Sequence, residues 1–155
     1  MIKSDRIICA LDLPNLNNIF NLVERIEYDI IFKFGMEFFY TFGYDGIEKL
    51  KNTRKNVKIF LDLKLHDIPN TVHETILGFH DCSIDMLTVH LSGGEEMLNK
   101  AILAGKYINA KVIGVSILTS LEESDTLALF DNKLDPQIRN LFEIAVKVNL
   151  DGVVC

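Results

Sequence analysis

The sequence reads IFLDLKLHDIPNTV over residues 59–72, where three charged side chains follow directly on an apolar run. Because the side chains of a strand alternate between its two faces, Asp62 and Lys64 are predicted to point the same way. The leucines beside them point the other way. A carboxylate and an ammonium group then share one face at the end of an apolar strand. A structural ion pair would explain them, but we interpret them as a functional site.

Short β-type runs recur along the chain, separated by stretches with helical periodicity. Strands are predicted at 6–11, 30–34, 58–63, 86–90, 111–117 and 152–155, and helices at 15–26, 36–52, 71–80, 95–107 and 137–148. A Ser or Thr followed three residues later by Glu predicts capping boxes at Thr71/Glu74, Ser92/Glu95 and Ser120/Glu123. The alternation predicts a parallel sheet, either open and doubly wound or closed as a (β/α)8 barrel.

Polar residues at the predicted strand ends favour the barrel. They are Asp12, Lys33, Asp62, Lys64, His90 and Thr119. In an open sheet, five strand spacings of about 4.8 Å would spread them over roughly 24 Å, too far for one small substrate. Around a barrel they converge on one mouth, so we predict the (β/α)8 TIM-barrel fold.

The length is short for a complete barrel. Such barrels usually take about 250 residues, and about 200 is near the lower limit. This chain has 155 residues, and its sixth predicted strand coincides with the end of the sequence. We therefore expect a single partial barrel domain over residues 1–155, with about six of the eight βα units and truncated at its C terminus.

The composition argues against several classes of protein. With 48% hydrophobic residues and a mean hydropathy of +0.19, the chain can bury a core. A net charge of −6 argues against a nucleic-acid partner, and we interpret the basic cluster within residues 49–58 as a solvated loop. The three cysteines lack metal-type spacing, and no export signal or long apolar run is present. A reduced, cytoplasmic protein without membrane insertion is expected.

The chain resembles the orotidine 5′-phosphate decarboxylases. The resemblance rests on the specific signature of residues 60–72 and on collinear matches at residues 11–12, 32–35, 90–94 and 116–120. It covers the whole chain, but only the earlier part of family members, which close the barrel with further βα units.

This resemblance implies loss of CO2 from C6 of orotidine 5′-phosphate to give UMP, a step of pyrimidine biosynthesis, with no cofactor and no metal. Lys64 would deliver the proton to C6, and Asp62 would lie beside the departing carboxylate. Lys33 and Asp67 would complete an alternating array of charges.

The same resemblance implies further contacts with the small-molecule substrate. Asp12 and Lys33 would hold ribose hydroxyls, and Thr119 would lie by the substrate. A homodimer is implied as well, in which three residues would reach into the neighbouring subunit's site, namely Asp67, Ile68 and Thr71.

The chemistry is consistent with these roles. Decarboxylation without a metal or an electron-sink cofactor leaves charge on a ring carbon, so a fixed cation near that carbon is the expected stabiliser. Carboxylates near Lys64 favour its charged, proton-donating form. A Schiff-base lysine needs the opposite environment, so Asp62 and Asp67 argue against a lysine-dependent aldolase.

Two alternatives stay open. Magnesium-dependent sugar-phosphate relatives, keto-gulonate-phosphate decarboxylase and hexulose-phosphate synthase, share the Asp-x-Lys-x-x-Asp strand. They carry an acidic metal ligand where this chain has Lys33, and they lack the continuation at 68–71. The other alternative is an inactive or weakly binding remnant, because the family's late phosphate-gripping loop and arginine have no counterpart in this sequence. Loss of such remote binding energy would reduce turnover as well as affinity.

Overall fold

A single sheet of six parallel strands organises the structure, a computed structural model that describes residues 7–13 and 15–154. Each strand pairs with its neighbour in sequence, and β1 and β6 form the two edges. The strands are β1 (Ile8–Ala10), β2 (Ile31–Gly35), β3 (Lys58–Leu65), β4 (Met86–His90), β5 (Lys111–Val115) and β6 (Gly152–Val154). The parallel sheet predicted from the sequence is confirmed, whereas the predicted ends at residues 6 and 155 lie outside the described residues.

Helices fill the connections between the strands. They are α1 (Leu16–Arg25), α2 (Met36–Thr53), α3 (Pro69–Leu77), α4 (Gly94–Ile108), α5 (Glu123–Phe130) and α6 (Leu134–Lys147). The sequence patterns missed α5, in which Thr126 is buried while the apolar Leu127 and Leu129 are exposed, so no amphipathic period marks it. None of the helices in the described residues is long and apolar enough to cross a membrane.

The three predicted capping boxes are wrong. Helix α3 begins with Pro69 in its first turn, and α4 follows Gly93, without a side-chain cap in either case. Proline needs no acceptor for a backbone N–H, which suits it to the start of a helix. Helix α5 begins after Glu122, whose N–H donates to Asp125 Oδ2 at 2.8 Å.

The prediction of a solvated loop for the basic cluster before β3 is wrong for Lys51 and Arg54, although Lys49 and Lys55 are exposed. Lys51 lies on α2 and donates to the carbonyl oxygen of Cys82. Arg54 donates to the carbonyl oxygens of Ile26 and Tyr28, at 2.8 Å for Tyr28. These side chains tie the connection after α1 and the turn after α3 to the end of α2.

The central strands have two different faces, because successive side chains alternate. One face packs against the helices and carries Phe32, Phe34, Ile59, Leu61, Leu63, Leu87 and Val89, all buried in the core. The polar residues between them, Lys33, Asp62 and Thr88, belong to the opposite face. The polar side chains are therefore directed towards the concave, barrel-interior side of the sheet.

Candidate active site

A cavity of about 560 Å³ lies on this concave side. Lys33, Asp62, Lys64 and Thr119 line it, so four of the predicted site residues come together there. The remaining wall is mainly apolar and includes Phe60, Ile117, Leu121, Ile138 and Phe142. A mostly apolar cavity with a few converging polar groups is the usual form of a small-molecule site.

Three charged side chains form a continuous array along the cavity. Lys33 Nζ lies 3.1 Å from Asp62 Oδ2, and Lys64 Nζ lies 2.9 Å from Asp62 Oδ1. The Asp62 side chain is 13% exposed, and those of Lys33 and Lys64 are 23% and 31% exposed. The prediction that Asp62 and Lys64 share one face is confirmed, and Lys33 joins them from the neighbouring strand.

The array keeps Asp62 ionised. Burial alone would raise the pKa of its carboxyl, but hydrogen bonds from Lys64 and Lys33, together with the charge of Lys64, outweigh that effect. The pKa of Asp62 therefore lies below its ordinary value. With two ammonium groups around one carboxylate, the array presents an excess of positive charge to a ligand in the cavity.

The backbone at Lys64 departs from a regular strand. Leu61 pairs with Leu87 and Leu65 with Val89, so β3 advances four residues where β4 advances two. Within this bulge Lys64 has a φ of 51°, in the left-handed region that residues with a Cβ rarely adopt. Simple alternation along β3 thus predicts the correct face for Lys64 but not its conformation.

Thr88 is a residue of the site that the sequence analysis missed. Its side chain is fully buried. Its hydroxyl accepts the Lys64 N–H at 2.8 Å and donates to Asp62 Oδ1 at 3.0 Å. The available signal was a lone hydroxyl inside the apolar strand β4, because a buried polar group needs a partner.

Asp12 lies at the rim of the site. The Leu11 N–H donates to the carbonyl oxygen of Lys33 at 2.9 Å, which extends the pairing of β1 with β2 and brings Asp12 beside Gly35. Asp12 Oδ1 is 3.4 Å from the position that a Cβ on Gly35 would take. The carboxylate is exposed and borders the end of the strand that carries Lys33.

The predicted homodimer residues are not among those that line the cavity. Asp67, Ile68 and Thr71 are exposed, and Ile68 is 67% exposed. Asp67 Oδ1 accepts the Ile68 N–H at 2.7 Å. In the part of the chain that the structure describes, no ion pair joins Asp67 to Lys64. A single chain therefore does not complete the predicted alternating array, and the role of Asp67 stays a prediction.

His90, at the end of β4, is half-buried and packs against His66 with ring centroids 5.3 Å apart. Burial lowers the pKa of His90, and the charges of His66 and Lys64 lower it further. Its environment therefore favours the neutral imidazole.

The side chains around the cavity do not resemble a metal-ligand set. Lys33 and Lys64 already occupy both oxygens of Asp62. Across residues 7–13 and 15–154, no group of three or more His, Cys, Asp or Glu side chains is arranged to hold a metal ion. Two cations beside an apolar wall instead suit an anionic organic ligand.

Comparisons with known proteins show which family the chain is similar to. Residues 5–155 match the family model described as the orotidine 5′-phosphate decarboxylase / HUMPS family. The chain is 40% identical over 151 residues to an orotidine 5′-phosphate decarboxylase of Wolbachia sp. subsp. Brugia malayi, covering 96% of this chain and 66% of that protein. It is 38% identical over 151 residues to that of Ehrlichia chaffeensis, covering 96% and 64%. The chain thus spans about two thirds of the length of these relatives.

Solved structures have the same fold. A crystal structure of orotidine 5′-phosphate decarboxylase from Lactobacillus acidophilus matches with a TM-score of 0.83 and 34% identity, covering 96% of this chain and 70% of that one. An uncharacterized conserved protein from Geobacillus kaustophilus matches with a TM-score of 0.84 and 32% identity, covering 96% and 72%. The predicted barrel fold is confirmed as a half-barrel of six parallel strands. The chain belongs to the orotidine 5′-phosphate decarboxylase / HUMPS family.

Proposed function

We propose that this chain catalyses the decarboxylation of orotidine 5′-phosphate to UMP, with Lys64 as the proton donor. The observation that carries the proposal is the array Lys33–Asp62–Lys64 on the concave side of the half-barrel, beside an apolar cavity wall. Membership of the family supports the same reaction. The proposal includes a role in pyrimidine biosynthesis and a location in the cytoplasm.

In the proposed reaction, the bond between C6 and the carboxylate breaks, CO2 leaves, and the electron pair stays on C6. The Lys64 ammonium group stabilises this developing charge and transfers one proton to C6, and the resulting amine regains a proton from solvent. Before the transfer, the Asp62 carboxylate pairs with the Lys64 ammonium group at 2.9 Å. Stabilisation of the transition state by Lys64, rather than repulsion of the substrate by Asp62, supplies most of the rate increase.

The remaining contacts in this proposal follow from the resemblance to the family. Lys33 and the exposed Asp12 hold ribose hydroxyls, and Thr119, on the cavity wall, contacts the substrate. Exposed Asp67, Ile68 and Thr71 complete the site across a homodimer. The reaction uses no metal or other cofactor, so EDTA is expected to leave the rate unchanged; a magnesium requirement would instead favour the sugar-phosphate relatives.

Decarboxylation of orotidine 5′-phosphate by the purified chain, followed by ultraviolet absorbance, tests the proposal. Lys64→Ala is expected to abolish turnover, which also excludes a contaminating host enzyme. Lys100→Ala, at an exposed position of α4, is the matched control and is expected to keep the wild-type rate.

Two results would contradict the proposal. Equal rates for the wild type and Lys64→Ala would show that the activity does not come from this site. A folded wild-type chain that binds UMP in calorimetry but gives no turnover would favour the alternative of a binding remnant.

A further inference from the structure

The hydroxyl of Thr88 links the two central residues of the array. It donates to the Asp62 carboxylate and accepts the backbone N–H of Lys64. A hydroxyl has one hydrogen to donate, and here Asp62 receives it while a lone pair of the same oxygen accepts the Lys64 N–H. Thr88 is fully buried and does not line the cavity, so its hydroxyl contacts Asp62 and Lys64 rather than a ligand in the cavity.

For Asp62, the hydroxyl fixes the rotation of the carboxylate. Among the described residues, Oδ2 accepts from Lys33 alone, whereas Oδ1 accepts from both Lys64 Nζ and Thr88 Oγ1. The lysine chains are long and partly exposed, so they can follow a rotating carboxylate. The short, buried Thr88 side chain cannot, and it therefore sets the plane in which Asp62 meets the two ammonium groups.

For Lys64, the hydroxyl supports an unusual backbone. The register shift between β3 and β4 leaves the Lys64 N–H without a place in the regular strand ladder, and Thr88 Oγ1 accepts it instead. An unpaired buried N–H is costly. Loss of this acceptor would favour relaxation of the left-handed residue, and a change of register in a strand moves side chains to the other face.

We propose that Thr88 is a positioning residue for the reaction, orienting Asp62 and Lys64 relative to each other without touching the substrate. The inference rests on the proposed function, since it assigns Thr88 a role in that reaction. It also makes a geometric claim that can be measured without turnover.

Thr88→Val and Thr88→Ser are the informative variants, because valine matches threonine in shape and serine keeps the hydroxyl. Thr88→Val is expected to lower kcat about 10- to 100-fold with little change in KM, as loss of a hydrogen bond to a charged group predicts. Thr88→Ser is expected to restore most of kcat. The control is Thr126→Val, because Thr126 is equally buried on α5 but its hydroxyl donates to the carbonyl oxygen of Glu123, away from the array.

Nuclear magnetic resonance supplies readouts that do not depend on activity. In Thr88→Val, the Lys64 amide is expected to exchange its hydrogen faster and the pKa of the Asp62 carboxyl is expected to rise, whereas Thr88→Ser and Thr126→Val leave both unchanged. If the valine variant does not fold, Thr88→Ala compared with Thr88→Ser isolates the hydroxyl in the same way.

The outcomes separate the two proposals. If the wild type turns over, an unchanged kcat in Thr88→Val, or equal losses in the valine and serine variants, would overturn the role of Thr88. If the folded wild type gives no turnover, the proposed function fails. The positioning role of Thr88 is then tested by the nuclear magnetic resonance measurements alone. Unchanged Lys64 exchange and Asp62 titration in the variant lacking the hydroxyl would then refute the inference.

Discussion

Replacement of Asp62 by Asn tests whether the charge array stabilises the fold. Asp62→Asn keeps the size and shape of the side chain but removes the negative charge between two ammonium groups. Lys33 and Lys64 then lose the carboxylate that lies 3.1 and 2.9 Å from them. We expect the variant to be less stable than the wild type at neutral pH.

The expected size of the effect follows from burial and geometry. A hydrogen bond to a charged group contributes about 1.5–3 kcal/mol. The two lysines are partly exposed, so solvent screens the interaction, and Asn keeps one side-chain oxygen that can accept a hydrogen bond. The expected loss of stability therefore lies in the lower half of that range. A loss of about 2 kcal/mol corresponds to a melting temperature roughly 4–8 °C lower for a domain of this size.

Urea unfolding followed by circular dichroism measures the difference, with Asp81→Asn as the control because the Asp81 side chain is fully exposed. The pKa of Asp62 is held below its ordinary value of 3.8, so its contribution is full above pH 3.8 and is lost as the pH falls through the folded-state pKa. The gap between wild type and Asp62→Asn should therefore narrow in acid. An Asp62→Asn protein as stable as the wild type at pH 7 would refute the reasoning, because desolvation of Asp62 would then cancel its ion pairs.

Three further changes test the packing and the electrostatics. Gly114→Ala is expected to destabilise the protein by about 1–3 kcal/mol in urea unfolding, because the new Cβ would lie 2.4 Å from the Leu91 side chain; unchanged stability would mean that the core adjusts. Burial lowers the pKa of His90, so its contribution to stability is full above pH 6.5 and is lost as the pH falls through the folded-state pKa. If the free energy of unfolding depended on pH equally in the wild type and in His90→Gln, this prediction would be contradicted. Arg54→Ala removes donors to several carbonyl oxygens and is expected to lower the melting temperature, whereas the exposed Lys55→Ala is not.

The sequence predicted the order of strands and helices well where periodicity is strong. The apolar alternation in β2, β3 and β4 can be recognised in the sequence, because each strand packs one face against the helices. Helix α5 was not predicted, because its apolar residues Leu127 and Leu129 are exposed and form no buried stripe. Two of the capping boxes failed because α3 starts at Pro69 and α4 follows Gly93, both without a side-chain cap, which a search for Ser or Thr followed by Glu does not detect.

The sequence by itself determined the family, the parallel sheet and the pairing of Asp62 with Lys64, because these depend on local order and on residues two apart in one strand. Only the tertiary structure decided the left-handed backbone of Lys64, the bulge in β3 and the two hydrogen bonds of the Thr88 hydroxyl. These features arise from the register between β3 and β4, whose interacting residues lie more than twenty positions apart. Such a register is set by the packing of the whole sheet, and no local pattern encodes it.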